Sequence, residues 1–192
     1  MRSAKMERGT RETRIAVAIR LDGSGLARVR TGVKFLDHML TSLATHSLID
    51  IELKGRGDLQ HHIVEDVALA LGETISKALG NRAGIRRFGF AIVPMDDALA
   101  LAAIDLVRRP YSSIELQIKR AMVEDAPRED LEHFFTSLAT ALVATVHVRV
   151  LDGRNDHHKF EAGVKALALA LREAVTPDPR RSKKPPTSKG VM

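Results

Sequence analysis

Two copies of one five-residue pattern, His-His-x-x-Glu, stand in this chain: His61, His62 and Glu65 in "HHIVEDVALALGE", and His157, His158 and Glu161 in "HHKFEAGVKALALAL". Imidazole nitrogen and carboxylate oxygen together suit divalent transition metals. On a helix, a histidine and a glutamate three or four positions apart share a face. Adjacent histidines diverge by about 100° around the axis, so one can face one ion and its neighbour a different one. Upstream of each pair lies a further histidine, His38 in "LDHML" and His133 in "LEHFF". Six of the eight histidines thus fall into two matched quartets with the glutamates. One is His38, His61, His62 and Glu65; the other is His133, His157, His158 and Glu161. Three imidazoles and one carboxylate leave positions open on a six-coordinate ion, and open positions are what a substrate needs. His46 and His147 have no histidine counterpart and read as ordinary surface or core residues.

The elements that must carry these side chains repeat as well. "DHMLTSLAT" from Asp37 aligns with "EHFFTSLAT" from Glu132, an offset of 95, and the His-His pairs align at 96. Two landmarks at nearly one offset make an internal duplication the best explanation. In the first half, "ETRIAVAIRLDGSGLARVRTG" reads as two alternating strands around the turn "DGSG", a hairpin signal. "VKFLDHMLTSLATHS" has helical apolar spacing below a cap-like Thr31, "LIDIELKG" alternates as a strand, and "HHIVEDVALALGETISKALGN" is an amphipathic helix closed at Gly80. The second half repeats the scheme, with strands in "FGFAIVPM", "ALALAAIDLV", "YSSIELQIK" and "TVHVRVLDG" and helices in "REDLEHFFTSLATALVA" and "HKFEAGVKALALALREAV". The predicted organisation is α+β: a first half-domain over 1–83, a second over 84–176, and a flexible basic tail over 177–192 that is rich in proline.

Composition narrows the function. With no cysteine, disulfides, thiolate metal sites and cysteine nucleophiles all drop out. The high pI of about 9.9 suggests nucleic acid at first sight. Yet residues 15–179 hold twenty Lys and Arg against twenty-two Asp and Glu, so the basic excess belongs to the two ends. A basic stripe interleaved with aromatics is absent, and no nucleic-acid partner is expected. No apolar run has the length of a membrane span, and the N-terminus lacks the apolar centre of a secretory signal. Phosphate loops of the Gly-x-x-x-x-Gly-Lys type and Gly-x-Ser-x-Gly elbows are missing too. Paired arginines at Arg86-Arg87 and Arg108-Arg109 border strands and could clamp an anion.

"TGVKFLDHML", "HHIVEDVALALGE", "GIRRFGF", "PMDDALA", "RPY", "EHFF", "DHHKFEAGVKALALALREA" and the terminal "SKGV", in that order, resemble the imidazoleglycerol-phosphate dehydratase family from about residue 7 onward. The resemblance implies a duplicated α+β fold in which each half-domain is a sheet backed by two helices. It implies a hydro-lyase of histidine biosynthesis that converts imidazole glycerol phosphate to imidazole acetol phosphate. It further implies a homo-oligomer of twenty-four subunits, with two manganese ions per active site at subunit contacts, in the cytoplasm or, in a plant, the plastid stroma. On this resemblance the eight donors above would be the metal ligands. Glu12 in "RETR" becomes a substrate-facing acid/base, and Arg87, Arg109, Lys165, Ser188 and Lys189 become phosphate and substrate contacts. In the mechanism that follows as a hypothesis, two metals stabilise an imidazolate, from which hydroxide departs to leave a diazafulvene-like intermediate. One departure stands out: "GDLQHH" is shorter than the family's "GDLHIDDHH" and lacks two aspartates placed to support ligand histidines. The competing readings are a catalytically weakened homologue, another dinuclear metal lyase or hydrolase on the same scaffold, and a metal-cemented assembly without catalysis.

Overall fold

A computed structural model describes residues 2–181, 184, 186 and 187. The first half runs β1 (Ser3–Gly9), β2 (Thr13–Arg20), β3 (Ala27–Arg30), α1 (Lys34–Ser47), β4 (Asp50–Gly57) and α2 (Gln60–Leu79). The second runs β5 (Phe88–Met95), β6 (Ala98–Asp105), β7 (Tyr111–Glu115), β8 (Met122–Val123), β9 (Ala126–Pro127), α3 (Arg128–Leu142), β10 (Thr145–Asp152) and α4 (Asp156–Val175). The four-stranded sheets have orders β1-β2-β4-β3 and β5-β6-β10-β7, the same topology twice. This is the duplicated α+β architecture, with each sheet backed by helices.

The "DGSG" hairpin does not form. β2 pairs antiparallel with β1 and β4, while β3 pairs parallel with the far side of β4. A parallel neighbour cannot be reached by a tight turn, so α1 serves as the crossover between β3 and β4. Asp50 at the start of β4 fills the supposed turn, its Oδ1 accepting the Ser24 and Leu26 backbone N–H groups at 2.8 and 2.9 Å. The true hairpin joins β1 to β2 over residues 10–12. Its first strand was hidden in "SAKMERG", where charged residues alternate with partly buried Ala4 and Met6.

Both sheets bury one face. Ile15, Val17 and Ile19 of β2 and Ala100, Ala102 and Ile104 of β6 point inward, as the two-residue period of a strand requires. The helices lie between, with α2 against α3 and α1 against α4, so each helix of one half packs on a helix of the other. Gly72 lets α2 and α3 approach closely. A Cβ there would sit 2.7 Å from the Leu138 carbonyl and 2.8 Å from the Leu142 nitrogen of α3.

The halves differ in one connection. Residues 31–33 lead from β3 into α1, whereas residues 116–127 lead from β7 into α3 and contain the β8–β9 hairpin. This insertion ends β7 at Glu115, short of the strand expected through Lys119. Its start is anchored by a buried pair: Lys159 Nζ donates to Asp156 Oδ1 at 2.8 Å, and Asp156 Oδ2 accepts the Lys119 and Arg120 backbone N–H groups. The described residues of the basic tail fold back, since the Lys184 carbonyl accepts the Gly84 N–H at 3.1 Å.

Candidate metal centre

Helix pairing decides which donors meet. α1 against α4 brings His38 to His157 and Glu161, and α2 against α3 brings His133 to His61 and Glu65. Within each trio the donor atoms lie within 4.8 Å of one another. Glu161 Oε2 is 3.3 Å from His157 Nε2 and 3.7 Å from His38 Nε2. Glu65 Oε1 is 3.4 Å from His133 Nε2, and its Oε2 is 4.0 Å from His61 Nε2. The expectation of one quartet per repeat is therefore corrected. Each cluster takes donors from both halves, because the helices pack across the duplication rather than within it.

His62 and His158 stand outside the trios, as the divergence of adjacent helical residues requires. His62 Nδ1–H donates to Asp58 Oδ1 at 2.8 Å, with Glu12 Oε2 3.8 Å away. His158 Nδ1–H donates to Asp97 Oδ1 at 2.5 Å. The other two members of the pairs are braced in the same manner. His61 Nδ1–H donates to Asp130 Oδ1 at 2.7 Å and His157 Nδ1–H to Glu124 Oε1 at 3.0 Å. A neutral imidazole that gives its Nδ1 proton to a carboxylate presents an unprotonated Nε2, the form that coordinates a metal. The donor set thus fits a divalent transition ion held by nitrogen and oxygen.

Those four carboxylates were not read as functional from sequence. Asp58 lies four residues before His62, a helical spacing that could have flagged it. Asp97 occupies the β5–β6 turn, where the first half has Glu12 in the β1–β2 turn. Asp130 and Glu124 are remote in sequence and gave no signal. Although "GDLQHH" lacks the family's two aspartates, Asp58 and Asp130 supply carboxylates to His62 and His61.

Electrostatics agree with this arrangement. The hydrogen bond from His158 and the Asn155 and Arg154 backbone N–H groups hold the Asp97 carboxyl well below the usual range. The hydrogen bond to Asp58 raises the His62 pKa above its ordinary value, so the carboxylate that orients this ring also favours its protonated form. Burial opposes charge on Glu161, yet the Lys165 hydrogen bond and nearby His38 and His157 lower its pKa overall.

The expected phosphate contacts are dispersed. Lys165 adjoins a trio, its Nζ donating to Glu161 Oε1 at 2.8 Å. Arg87 is committed elsewhere, with Nε and Nη2 donating to Asp105 at 2.6 and 2.9 Å and Nη1 to the Pro186 carbonyl at 2.7 Å. Arg109 lies exposed between β6 and β7, and Glu12 is exposed in the β1–β2 turn. Ser188 and Lys189 lie outside the described residues.

Two mirrored half-domains with matched imidazole–carboxylate trios at their shared helical layer define a class, the internally duplicated α+β enzymes. Within that class, the family model described as Imidazoleglycerol-phosphate dehydratase matches residues 31–171. A Methanothermobacter thermautotrophicus protein of that name is 52% identical over 91% of this chain and 91% of its own. One from Phytophthora nicotianae is 50% identical over 100% of this chain, which spans only 43% of that longer protein. The crystal structure of IGPD from Pyrococcus furiosus superposes with a TM-score of 0.85 at 37% identity, over 97% of this chain and 100% of that one. The chain belongs to the imidazoleglycerol-phosphate dehydratase family, enzymes of histidine biosynthesis. No helix among the described residues is long and apolar enough to cross a membrane.

Proposed function

We propose that this chain dehydrates imidazole glycerol phosphate to imidazole acetol phosphate with two manganese ions, at sites completed where copies of the chain meet. The observation that carries the metal assignment is the pair of trios, each with two imidazoles and one carboxylate. His38, His157 and Glu161 would hold one ion, and His61, Glu65 and His133 the other. His62 and His158 carry the same Nδ1 brace as ligand histidines but join neither trio of their own chain. A fourth nitrogen for each ion would come from these residues on a neighbouring copy. Bound ions would supply Lewis acidity that stabilises negative charge on the imidazole nitrogens of the substrate.

The chain's own groups then have distinct tasks. Glu12, exposed beside His62, would accept a proton from the substrate carbon. Lys165 would offer its ammonium to the substrate phosphate while keeping Glu161 ionised. Arg109, Ser188 and Lys189 would add phosphate contacts. Arg87 would act with them on exchanging a partner, because Asp105 and Pro186 now occupy its donors.

The decisive experiment combines elemental analysis with an assay for the ketone product in added manganese. Product formation with bound manganese is expected; manganese without product would leave the dehydratase reading refuted. Completion between copies is tested by co-expressing His38→Ala with His158→Ala, each inactive alone. Mixed assemblies should recover activity, and none would recover if every site were built from one chain.

A further inference from the structure

The β8–β9 hairpin, the connection that the first half lacks, reaches one trio through two successive carboxylates. Glu124, in its turn, accepts the His157 Nδ1–H at 3.0 Å. Asp125, the next residue, accepts the Lys34 and Phe35 backbone N–H groups at 2.7 and 2.9 Å. These belong to the first turn of α1, which has no side-chain cap of its own from Val33. Unsatisfied N–H groups at a helix start need an acceptor, and Asp125 supplies it from the other half of the molecule. His38 stands one turn further along α1. The Phe35 ring, fixed by the same cap, lies 5.0 Å from the His157 ring. The Asp125 carbonyl also accepts Gln60 Nε2 at 2.6 Å, next to His61.

Glu124 adopts φ 53°, the left-handed region that costs a residue with a side chain and that glycine occupies freely. Glycine would suit this turn better, so the carboxylate is present despite the backbone. Strained backbone of this kind persists where a side chain has a task.

We infer that the β8–β9 hairpin is a positioning device for one metal trio: Glu124 fixes the tautomer and direction of His157, and Asp125 fixes α1 and with it His38. No side chain of the hairpin braces a histidine of the other trio, which it meets through the Asp125 backbone carbonyl at Gln60. His61 takes its brace from Asp130, which shares α3 with His133. The hairpin thus sets the two sites apart chemically, giving one a side-chain support that substitution at Glu124 or Asp125 changes while the backbone carbonyl at Gln60 stays. This inference rests on the two-ion reading above.

The test is manganese binding by the full-length protein, measured as bound metal against free Mn²⁺. Glu124→Gly should keep the melting temperature within a few degrees, since it removes strain, yet weaken one of the two ions about 10–100-fold, as loss of a carboxylate behind a ligand histidine does. Glu124→Gln keeps an acceptor oxygen and should recover part of that affinity. Asp125→Ala should weaken the same ion, and Asp130→Asn the other. If Glu124→Gly bound both ions as tightly as wild type, or lost both equally with a fall in melting temperature, the positioning role would be overturned. A wild-type protein that bound no manganese would instead refute the two-ion reading and this inference with it.

Discussion

Replacing Arg82 by methionine asks whether one buried cation ties the two halves together. Its side chain is 1% exposed, between α2 and β5. The guanidinium donates to the carbonyls of Leu106 at 2.9 Å, Val143 at 2.9 Å and Leu142 at 2.5 Å, and to Ser76 Oγ at 3.0 Å. Leu142 and Val143 close α3, Ser76 lies on α2 and Leu106 follows β6, so one side chain spans both halves. Burial, aided by the like charge of Arg108 and opposed by Asp105, lowers its pKa from 12.5 to about 10. That fall corresponds to about 3 kcal/mol against the charged form in the fold, the balance of burial and Arg108 over Asp105. Against it stand three carbonyls bonded to a charged donor, each worth about 1.5–3 kcal/mol, or about 5–9 kcal/mol together. Methionine fills much of the volume, removes the charge and its penalty, and donates nothing. The expected net loss is about 2–6 kcal/mol, which for a chain of this size lowers Tm by roughly 5–20 °C. Calorimetric melts of wild type and Arg82→Met in one buffer give the answer. A variant melting within about 2 °C of wild type would show that the carbonyls find other donors and that the staple is dispensable.

Gly72→Val would drive a branched side chain into the α3 backbone; it should cost about 1–3 kcal/mol in a melt and weaken manganese binding by separating His61 and Glu65 from His133. Unchanged metal binding would detach helix spacing from the trio. The Asp58 hydrogen bond raises the His62 pKa, so in metal-free protein this pair favours the fold below the unfolded value of 6.5 and loses that contribution as pH rises through the folded value. An NMR titration should place the His62 midpoint above 6.5, with Asp58→Asn moving it down; a midpoint indifferent to the substitution would refute the brace. Asp156→Ala leaves the buried Lys159 ammonium with only the Gln117 carbonyl, and denaturant unfolding should show a loss of about 3–5 kcal/mol.

The helices were legible from apolar spacing in "VKFLDHMLTSLAT" and "VALALGETISKAL", and the duplication from two landmarks at nearly equal offsets. Strand pairing was not. "DGSG" carries turn chemistry, yet β4 lies between β2 and β3, and which strand fills that gap depends on a partner remote in sequence. The inserted hairpin is visible in hindsight as a change of offset: Thr13 of β2 corresponds to Ala98 of β6 at 85, whereas Asp37 and Glu132 differ by 95. The six residues of the trios were singled out by residue type and repetition. Their grouping was not, because the α1–α4 and α2–α3 contacts come from the shape of the whole helical layer. The braces Asp130 and Glu124 have no spacing rule to betray them; only the folded chain brings them to His61 and His157.

Because α1 packs on α4 and α2 on α3, a half-domain alone would carry donors with nothing opposite them. Two free halves would have to find each other by diffusion, and cluster assembly would vary with their abundance. Covalent fusion replaces that encounter with a fixed effective concentration, on the order of millimolar for a short tether. The geometry of each trio thereby becomes independent of dilution. It also frees the halves from strict two-fold equivalence, which is the condition under which a single hairpin could be added to one of them alone.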